Sequence, residues 1–224
     1  MLQLDWSIVT QNMPHLVKGL MFSFGLCFSS ALVGGVGLGT ILAVLRFSRY
    51  PWVVRIVTGY VTLMRATPFL MVMFWFYFLL PLIIKNLFGS AYATGIDAFY
   101  SAFIAFALFE AAYFSEIIRA GIQAVPGGQR DAARSLGLSQ MQCYRLIIFP
   151  QAFRKMMPAL LTQCIILFQD TAVVYVVGLS DFLGTLKHIA ERDGRMVEAY
   201  LFAAVVYFLI SFSASKGVEL LKHK

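Results

Sequence analysis

The stretch Asp131-Ala-Ala-Arg-Ser-Leu-Gly137, followed nine residues later by Ile147-Ile-Phe-Pro150, is a polar segment set among very apolar ones. The acid, the two alanines and the glycine predict a short helix with one small face, which ends at a tight turn. We expect Pro150 to restart the chain after that turn. A plain surface helix between two membrane spans is the alternative, but it does not require this spacing over 20 residues.

The composition of the whole chain is that of an integral membrane protein. Of its 224 residues, 60% are hydrophobic and 13% are charged, and the mean hydropathy is +0.78. Soluble domains have roughly 45–50% apolar and 25% charged residues. The length suits one bundle of membrane spans without a separate soluble domain, so we predict a single all-α membrane domain over 1–224. The three cysteines are far apart and suggest neither a metal site nor a disulfide framework.

Apolar runs predict five spans. They cover about 19–45, 53–84, 98–119, 156–177 and 199–215. The second run is interrupted at Arg65-Ala-Thr-Pro68, where the proline removes a backbone donor and predicts a kink. The first run contains Gly35 and Gly39 at small-xxx-small spacing, which favours close helix packing over a phosphate-binding loop because no strand precedes it.

The basic residues predict the orientation of these spans. Twelve lie in the connections on one side and in the C-terminal tail: Arg46, Arg49, Arg55, Arg119, Arg130, Arg134, Arg145, Arg154, Lys155, Lys216, Lys222 and Lys224. Five lie on the other side, diluted by acids: Lys18, Lys85, Lys187, Arg192 and Arg195. By the positive-inside rule the N-terminus is periplasmic and the C-terminus cytoplasmic. The polar segment quoted first then faces the cytoplasm. The same rule explains the net charge of +7 without nucleic acid as a partner.

The polar segment resembles the "EAA" loop of permease subunits of bacterial ABC importers, with Asp131 in place of Glu and Phe149 in place of Leu. Further stretches are similar to those of polar amino-acid permeases. They are Arg65-Ala-Thr-Pro68, Glu116-Ile-Ile-Arg-Ala-Gly121, Pro150-Gln-Ala-Phe-Arg154 and Gln169-Asp-Thr-Ala172. The stretches 109–116 and 189–194 look most like the glutamate/aspartate members of that family.

The resemblance implies a binding-protein-dependent (MetI-like) permease fold with five transmembrane helices and a cytoplasmic coupling helix in a segment of about 121–150. It implies that Asp131, Ala132, Ala133, Gly137 and Pro150 couple the chain to an ATPase. It also implies a multi-pass subunit of the bacterial inner membrane. The implied partners are two ATPase subunits, a second permease subunit, a periplasmic substrate-binding protein and membrane lipid. The chain has no P-loop, so ATP and magnesium are expected on the partner ATPase, and the chain itself is expected to be neither an enzyme nor a cofactor or metal carrier.

Polar residues inside the spans are candidates for a substrate path, because a charge within the bilayer costs about 2.5–3.5 kcal/mol on insertion scales. Asp170 and Gln163 are seven residues apart and so share one helix face. Asp170 could accept an amino acid's ammonium group, while Gln163, Gln169 or Thr171 could donate to its carboxylate. An interhelical pair that only holds the bundle together is the alternative for Asp170.

Three further charges lie within the apolar runs, namely Arg65, Glu110 and Glu116. We expect Arg65 to pair with Glu110 or Glu116, and the alternative is contact with an anionic substrate. The two glutamates are six residues apart, so they point to different faces and need different partners.

The predicted function is the ATP-driven import of amino acids, with glutamate and aspartate as the substrates that the resemblance implies. Two other classes stay open at this stage. An ion-coupled secondary transporter would show inverted repeats and coupling-ion ligands, and a non-transporting membrane scaffold would not need the spacing of the polar segment.

Overall fold

The computed structural model describes residues 5–89 and 97–222, and eight helices make up most of this part of the chain. They are α1 (Ser7–Leu45), α2 (Pro51–Ala66), α3 (Phe69–Phe88), α4 (Ala98–Gln123), α5 (Gly127–Ser135), α6 (Gln140–Val177), α7 (Phe182–Asp193) and α8 (Met196–Lys222). Within this part, five helices are long and apolar enough to cross a membrane, namely α1, α3, α4, α6 and α8. The predicted all-α class and the predicted number of spans are confirmed.

The spans are longer than the apolar runs that predicted them. α1 has 39 residues and α6 has 38, so each is about 57 Å or more in length, well beyond a hydrocarbon core of about 30 Å. The helical segment α6 begins at Gln140. Its regular α-helical geometry restarts at Phe149 with Pro150 in the first turn, in agreement with the expectation for Pro150. A π-helical turn over Cys143–Ile148 precedes the proline. A π-helical turn interrupts the regular i to i−4 backbone hydrogen bonds of the helix. The interruption falls where Pro150, which has no N–H, could not donate such a bond.

The second apolar run is two helices and not one kinked span. Thr67 is extended, with φ −103° and ψ 135°, and Pro68 has φ −58° and ψ 134°, so α2 ends and α3 begins on either side of this pair. A proline disfavours helical geometry in the residue before it, which explains a full break. The Thr67 hydroxyl donates to the Leu63 carbonyl at 2.8 Å, as expected of a side chain that satisfies a freed backbone acceptor. The expected polar loop at 85–97 begins later, since α3 runs to Phe88, and 90–96 lie outside the described residues.

Glycines hold α1 against α4, the central helix of the bundle. A Cβ atom added at Gly34 would lie 2.1 Å from the Ala107 carbonyl oxygen, and one at Gly39 would lie 2.7 Å from the Phe114 Cβ. Only glycine permits so close an approach of the two backbones. The packing interpretation of the glycine stripe is confirmed.

In the part of the chain that the structure describes, three clusters of buried apolar residues stabilise the bundle. The largest joins α1, α2, α3, α4 and α6 around Phe106. A second joins the start of α1 to α7 and α8. A third lies at the opposite end of α1, where Ala133 of α5 meets Ala43, Ile118 and Ile148. α5 and α7 therefore lie at opposite ends of the molecule.

Candidate functional site

A cavity of about 500 Å³ opens beside the break between α2 and α3. α2, α3, α4 and α6 all contribute to it. Its lining residues are Arg65, Ala66, Thr67, Pro68, Phe69, Phe109, Tyr113, Gln163, Ile166 and Asp170. The structure thus brings three of the residues singled out in the sequence, Arg65, Gln163 and Asp170, into one space.

Arg65 lies in the last turn of α2 and lines this cavity with 43% of its side chain exposed. Its guanidinium group lies 5.5 Å from the centre of the Tyr113 ring, within reach of a cation–π interaction. Its Nη1 is 4.0 Å from Glu116 Oε2, at the outer limit of an ion pair. Most of the N–H donors of the Arg65 guanidinium group are therefore free to bind a ligand in the cavity.

Tyr113 was not among the residues that the sequence suggested. Its ring packs on Phe109 at 5.0 Å between centroids, and the side chain is half-buried at the cavity wall. Its position one helical turn after Glu110 and one before Glu116 was the available signal, because i and i+3 neighbours share a helix face. A phenol at that position adds a hydroxyl donor to the cavity.

Glu110 is fully buried, and its partner is Gln163 of α6. The Gln163 amide nitrogen lies 3.2 Å from each of the two carboxylate oxygens. Of the two expected pairings of Arg65, the one with Glu116 is present at 4.0 Å and the one with Glu110 does not occur. The described residues provide no ion pair for Glu110. The Gln163 donors are directed at Glu110, so it is mainly the carbonyl oxygen of the same amide that stays available to the cavity.

Glu116 takes the cationic partners instead. Its carboxylate pairs with Arg46 from the end of α1 and with Arg119 one turn further along α4. The sequence indicated only that the two glutamates point to different faces, and the structure confirms that. It could not show Arg46 as a partner, because that contact depends on how closely the glycine stripe lets α1 approach α4.

Asp170 ends the α-helical part of α6 and is half-buried beside the cavity. Within the described part of the chain it has neither a hydrogen bond nor an ion pair. Its neighbours along the chain point elsewhere. Gln169 lines a separate cavity against α8, and the buried Thr171 hydroxyl donates to the Phe168 carbonyl at 2.7 Å. Of the four substrate-path candidates, the structure therefore places Gln163 and Asp170 together and Gln169 and Thr171 apart from them.

The predicted coupling residues lie on and around α5. Asp131 and Ala132 are exposed, whereas Ala133 is buried in the cluster that includes Ile118 and Ile148. Just after α5 comes Gly137, with φ +75°, a conformation that side chains rarely adopt. The exposed Pro150 lies further on, within α6.

Large apolar side chains beside these residues face outward, since Leu136 and Met141 are 78% and 75% exposed. Exposed apolar side chains next to a helix with a buried small face are typical of a docking surface for another protein.

Chemically, the cavity can bind a molecule that carries both signs of charge. A guanidinium group presents donors in a fork that matches a carboxylate, and an unpaired carboxylate accepts from an ammonium group. The two charges come from different helices, Arg65 from α2 and Asp170 from α6, so the binding of one ligand would bridge α2 and α6.

Comparison with known proteins adds to this geometry. Residues 35–224 match the family described as binding-protein-dependent transport system inner membrane component. Over all 224 residues the chain is 46% identical to the glutamate/aspartate import permease protein GltK of Escherichia coli O6:H1, covering 99% of that relative. It is 31% identical to the arginine transport system permease protein ArtQ of Bacillus subtilis, with 93% of this chain and 91% of the relative covered.

Two solved structures are also similar. A crystal structure of an amino acid ABC transporter with histidines superposes with a TM-score of 0.88 at 29% identity, over 99% of both chains. An inward-facing structure of the methionine transporter MetNI shares the fold, with a TM-score of 0.64 at 18% identity over 96% of this chain and 97% of the other.

Proposed function

The chain belongs to the binding-protein-dependent transport system inner membrane component family, and we propose that it carries glutamate and aspartate across the bacterial inner membrane. As the permease subunit of an amino-acid ABC importer it is a multi-pass membrane protein, and its partners are an ATPase and a substrate-binding protein. The comparisons support neither an ion-coupled transporter nor a scaffold.

The observation that carries the proposed substrate is the placement of Arg65 and Asp170 in one cavity. An acidic amino acid presents two carboxylates and one ammonium group. Arg65 suits one carboxylate as a bidentate donor, and Asp170 suits the ammonium group. The Tyr113 hydroxyl is a neutral donor for the second carboxylate. The 46% identity to a glutamate/aspartate permease over the whole chain supports the same substrate class.

The mechanism follows from the contacts of α5. Two ATPase subunits close on ATP and magnesium, which they bind themselves, and move the exposed face of α5 that carries Asp131 and Ala132. Ala133 transmits that movement to α1, α4 and α6 through its buried cluster. The break at Thr67 and Pro68 lets α2 and α3 reorient separately. Nucleotide shifts the populations of outward- and inward-open states only by binding them differently.

The proposed arrangement in the cell has the N-terminus in the periplasm and the C-terminus in the cytoplasm. A second permease subunit, either a copy of this chain or a similar one, completes the path, because one subunit of this size cannot contact two ATPase subunits. The substrate-binding protein delivers the amino acid from the periplasmic side.

The decisive experiment is uptake of radiolabelled amino acids by the assembled transporter in proteoliposomes with its binding protein and ATP. Glutamate and aspartate should be taken up, and unlabelled arginine or glutamine should not compete at equal concentration. Uptake of arginine in preference to glutamate would refute the proposed substrate while leaving the family untouched.

A variant tests the role of Asp170 in the same assay. Asp170→Asn keeps the size and removes the charge, so uptake should fall by tenfold or more, because a weakly screened charge-assisted contact contributes roughly 1.5–3 kcal/mol. Glu219→Gln, a change in an exposed acid near the end of α8, is the control and should transport normally. If Asp170→Asn lowers the yield of intact complex instead of its uptake per complex, Asp170 holds the bundle together and does not contact substrate.

A further inference from the structure

A second polar cavity, of about 490 Å³, lies at the end of the molecule opposite α5. It is formed between the first turns of α1 and the amphipathic helix α7. Its lining residues are Asn12, His15, Lys18, Gly19, Phe22, Ser180, Thr185, His188, Ile189 and Arg192. Transport of an amino acid through the cavity at the α2–α3 break gives this basic cluster no role.

The side-chain groups of this cavity that remain free to hydrogen-bond a ligand are donors. Lys18 and His15 are exposed and have no hydrogen bond or ion pair to any residue of the described part. Arg192 donates to Asn12 Oδ1 at 3.3 Å, which occupies an acceptor of the lining. A Lys ammonium group, a guanidinium group and imidazole N–H groups that converge on one space suit an anion with several oxygens.

The acids nearby already have partners. Asp181 caps α7 through backbone N–H groups, and two lining residues, His188 and Arg192, have acidic neighbours outside the cavity. Glu191 accepts from Lys187 at 2.9 Å and is 3.9 Å from His188, and Asp193 binds Arg192 at 2.7 Å. Neither acid lines the cavity. Among the described residues Lys18 therefore has no counter-ion, and an anionic ligand would supply one.

The depth of Lys18 along α1 indicates where that anion comes from. Lys18 is the last charged residue before 27 uncharged residues, 19–45, which span about 40 Å and so more than cover a hydrocarbon core of about 30 Å. Directly after Lys18 the exposed side chains are apolar, with Met21 at 67% and Phe28 at 71%. Trp6, 46% exposed, lies further out, as aromatic residues at a membrane interface do. Lys18 thus lies at the level of the lipid headgroups.

We propose that this cavity binds the phosphate group of an anionic phospholipid. Lys18 and Arg192 pair with the phosphate oxygens, His15 and His188 donate to them, and Phe22 and Ile189 contact the glycerol backbone below. A lipid held in this way would tie α1 to α7, the two helices that form this end of the bundle.

Native mass spectrometry of the intact transporter, released from nanodiscs of equal phosphatidylglycerol and phosphatidylethanolamine, tests the proposal. The parental complex should retain phosphatidylglycerol in preference. Lys18→Gln should lower that retention by about fivefold, as expected for the loss of one cation at a membrane surface, and Lys18→Glu should abolish it. Lys85→Gln is the matched control, since Lys85 is another exposed lysine that follows an apolar run but lies outside the cavity. Transport activity of the Lys18 variants is measured in parallel, so a failure of the lipid site is distinguishable from a failure of the proposed transport function.

Three results would overturn the proposal. Equal losses of lipid in Lys18→Gln and Lys85→Gln would mean attraction to an anionic surface without a site. Displacement of the lipid by soluble glycerol 3-phosphate at equal concentration would mean a site for a free phosphate ester. Unchanged lipid retention, together with loss of ATPase stimulation by the binding protein in Lys18→Gln, would mean that this cavity receives an acidic side chain of that partner.

Discussion

At the scale of single residues, the polar groups within the spans divide by whether they already have partners. Glu116 is held by two arginines and Glu110 by the Gln163 amide, so these groups serve the packing of α1, α4 and α6. Asp170 has no such partner among the described residues and borders a cavity instead. Since an unpaired charge facing lipid is costly, this division selects Asp170 as the group left for a ligand.

Asp181, outside the spans, allows a prediction about pH. Its buried carboxylate caps α7 by accepting from the N–H groups of Leu183 at 3.1 Å and Gly184 at 2.9 Å. Burial nevertheless raises the pKa of Asp181 from 3.8 to about 6. Because the folded protein then holds this proton more tightly than the unfolded chain, the stabilisation is complete below about pH 4 and is lost as pH rises through about 6.

The test compares Asp181→Asn, which keeps one capping oxygen and cannot ionise, with the parental chain by thermal unfolding in detergent from pH 4 to 7. The free energy of unfolding of the parental protein relative to the variant should decrease over that range, by at most about 3 kcal/mol for a shift of about two units. A difference that stays flat or increases with pH would contradict the assigned shift.

Sequence spacing was informative about which residues share a helix and uninformative about which helices meet. The interval of seven residues placed Gln163 and Asp170 on one face, and the structure has both at one cavity. The contact between Gln163 and Glu110 joins residues 53 positions apart, and it depends on the packing of α6 against α4. Any counter-ion would stabilise Arg65, which predicts a glutamate partner, and Arg65 does reach Glu116 at 4.0 Å. Arg46 and Arg119 lie closer to that carboxylate.

At the scale of elements, the packing of α1 on α4 predicts a sharp contrast between two glycines of one helix. Gly34→Ala would place a methyl group against the Ala107 backbone and should force the helices apart, costing roughly 1–3 kcal/mol as overpacking does. Gly25→Ala meets no atom within 4 Å and should be neutral or stabilising, because alanine favours helix by about 1 kcal/mol. The measurement is the melting temperature of each purified variant, which should be lower for Gly34→Ala than for Gly25→Ala. Equal stability would mean that α1 and α4 do not approach as described.

The turn after α5 carries the second prediction at this scale. Gly137→Asp requires an aspartate at φ +75°, at a cost of about 1–2 kcal/mol, and alters the end of the helix that we propose contacts the ATPase. The subunit should still fold and insert, but uptake driven by ATP should be lost. Gly128→Asp adds the same charge in the first turn of α5, where an acid suits the helix dipole, and should retain most uptake. Parental rates of uptake in Gly137→Asp would remove this turn from the coupling mechanism.

Element boundaries were predictable to the extent that hydrophobicity changes mark them. The apolar runs gave the right number of spans, because the hydrocarbon core sets their length. They missed the extra turns of α1 and the early start of α6, since those turns continue the helix beyond the membrane with polar residues such as Gln11 and Gln140. The break at Thr67 was expected only as a kink, because the local sequence shows that proline removes one donor and not how far α2 turns away.

At the scale of the whole molecule, α1 connects the two opposite ends of the bundle. Its last turns pack through Ala43 on the cluster that holds α5, and its first turns pack through Leu16 on α7. In the proposed mechanism, this helix of about 58 Å, with glycines at its middle, would transmit a displacement of α5 to the far end by sliding along α4 as a rigid body. Communication between the ATPase and the outer face would then require no change of secondary structure.

The orientation of the whole bundle is the last prediction. Five spans place the loop before α7 and the end of α3 in the periplasm, and the turn between α5 and α6 in the cytoplasm. In a chain with its three native cysteines replaced by alanine, single cysteines at Ser180 and Asn86 should react with an impermeant maleimide added to intact cells. Both positions are exposed, so failure to react cannot come from burial.

The cytoplasmic reporter has to be chosen with the structure in mind. Ser139 is exposed but caps the start of α6 in a reciprocal pair with Gln142, so a cysteine there risks disturbing the turn. Leu136, 78% exposed on the same turn, is the better companion position. Both should stay unlabelled in intact cells and react fully once the membrane is permeabilised. Labelling of Leu136→Cys from outside, with protection of Ser180→Cys, would mean that the bundle has the opposite orientation in the membrane. It would then exclude α5 from any contact with a cytoplasmic ATPase, because no rearrangement short of reinsertion brings that turn across the bilayer.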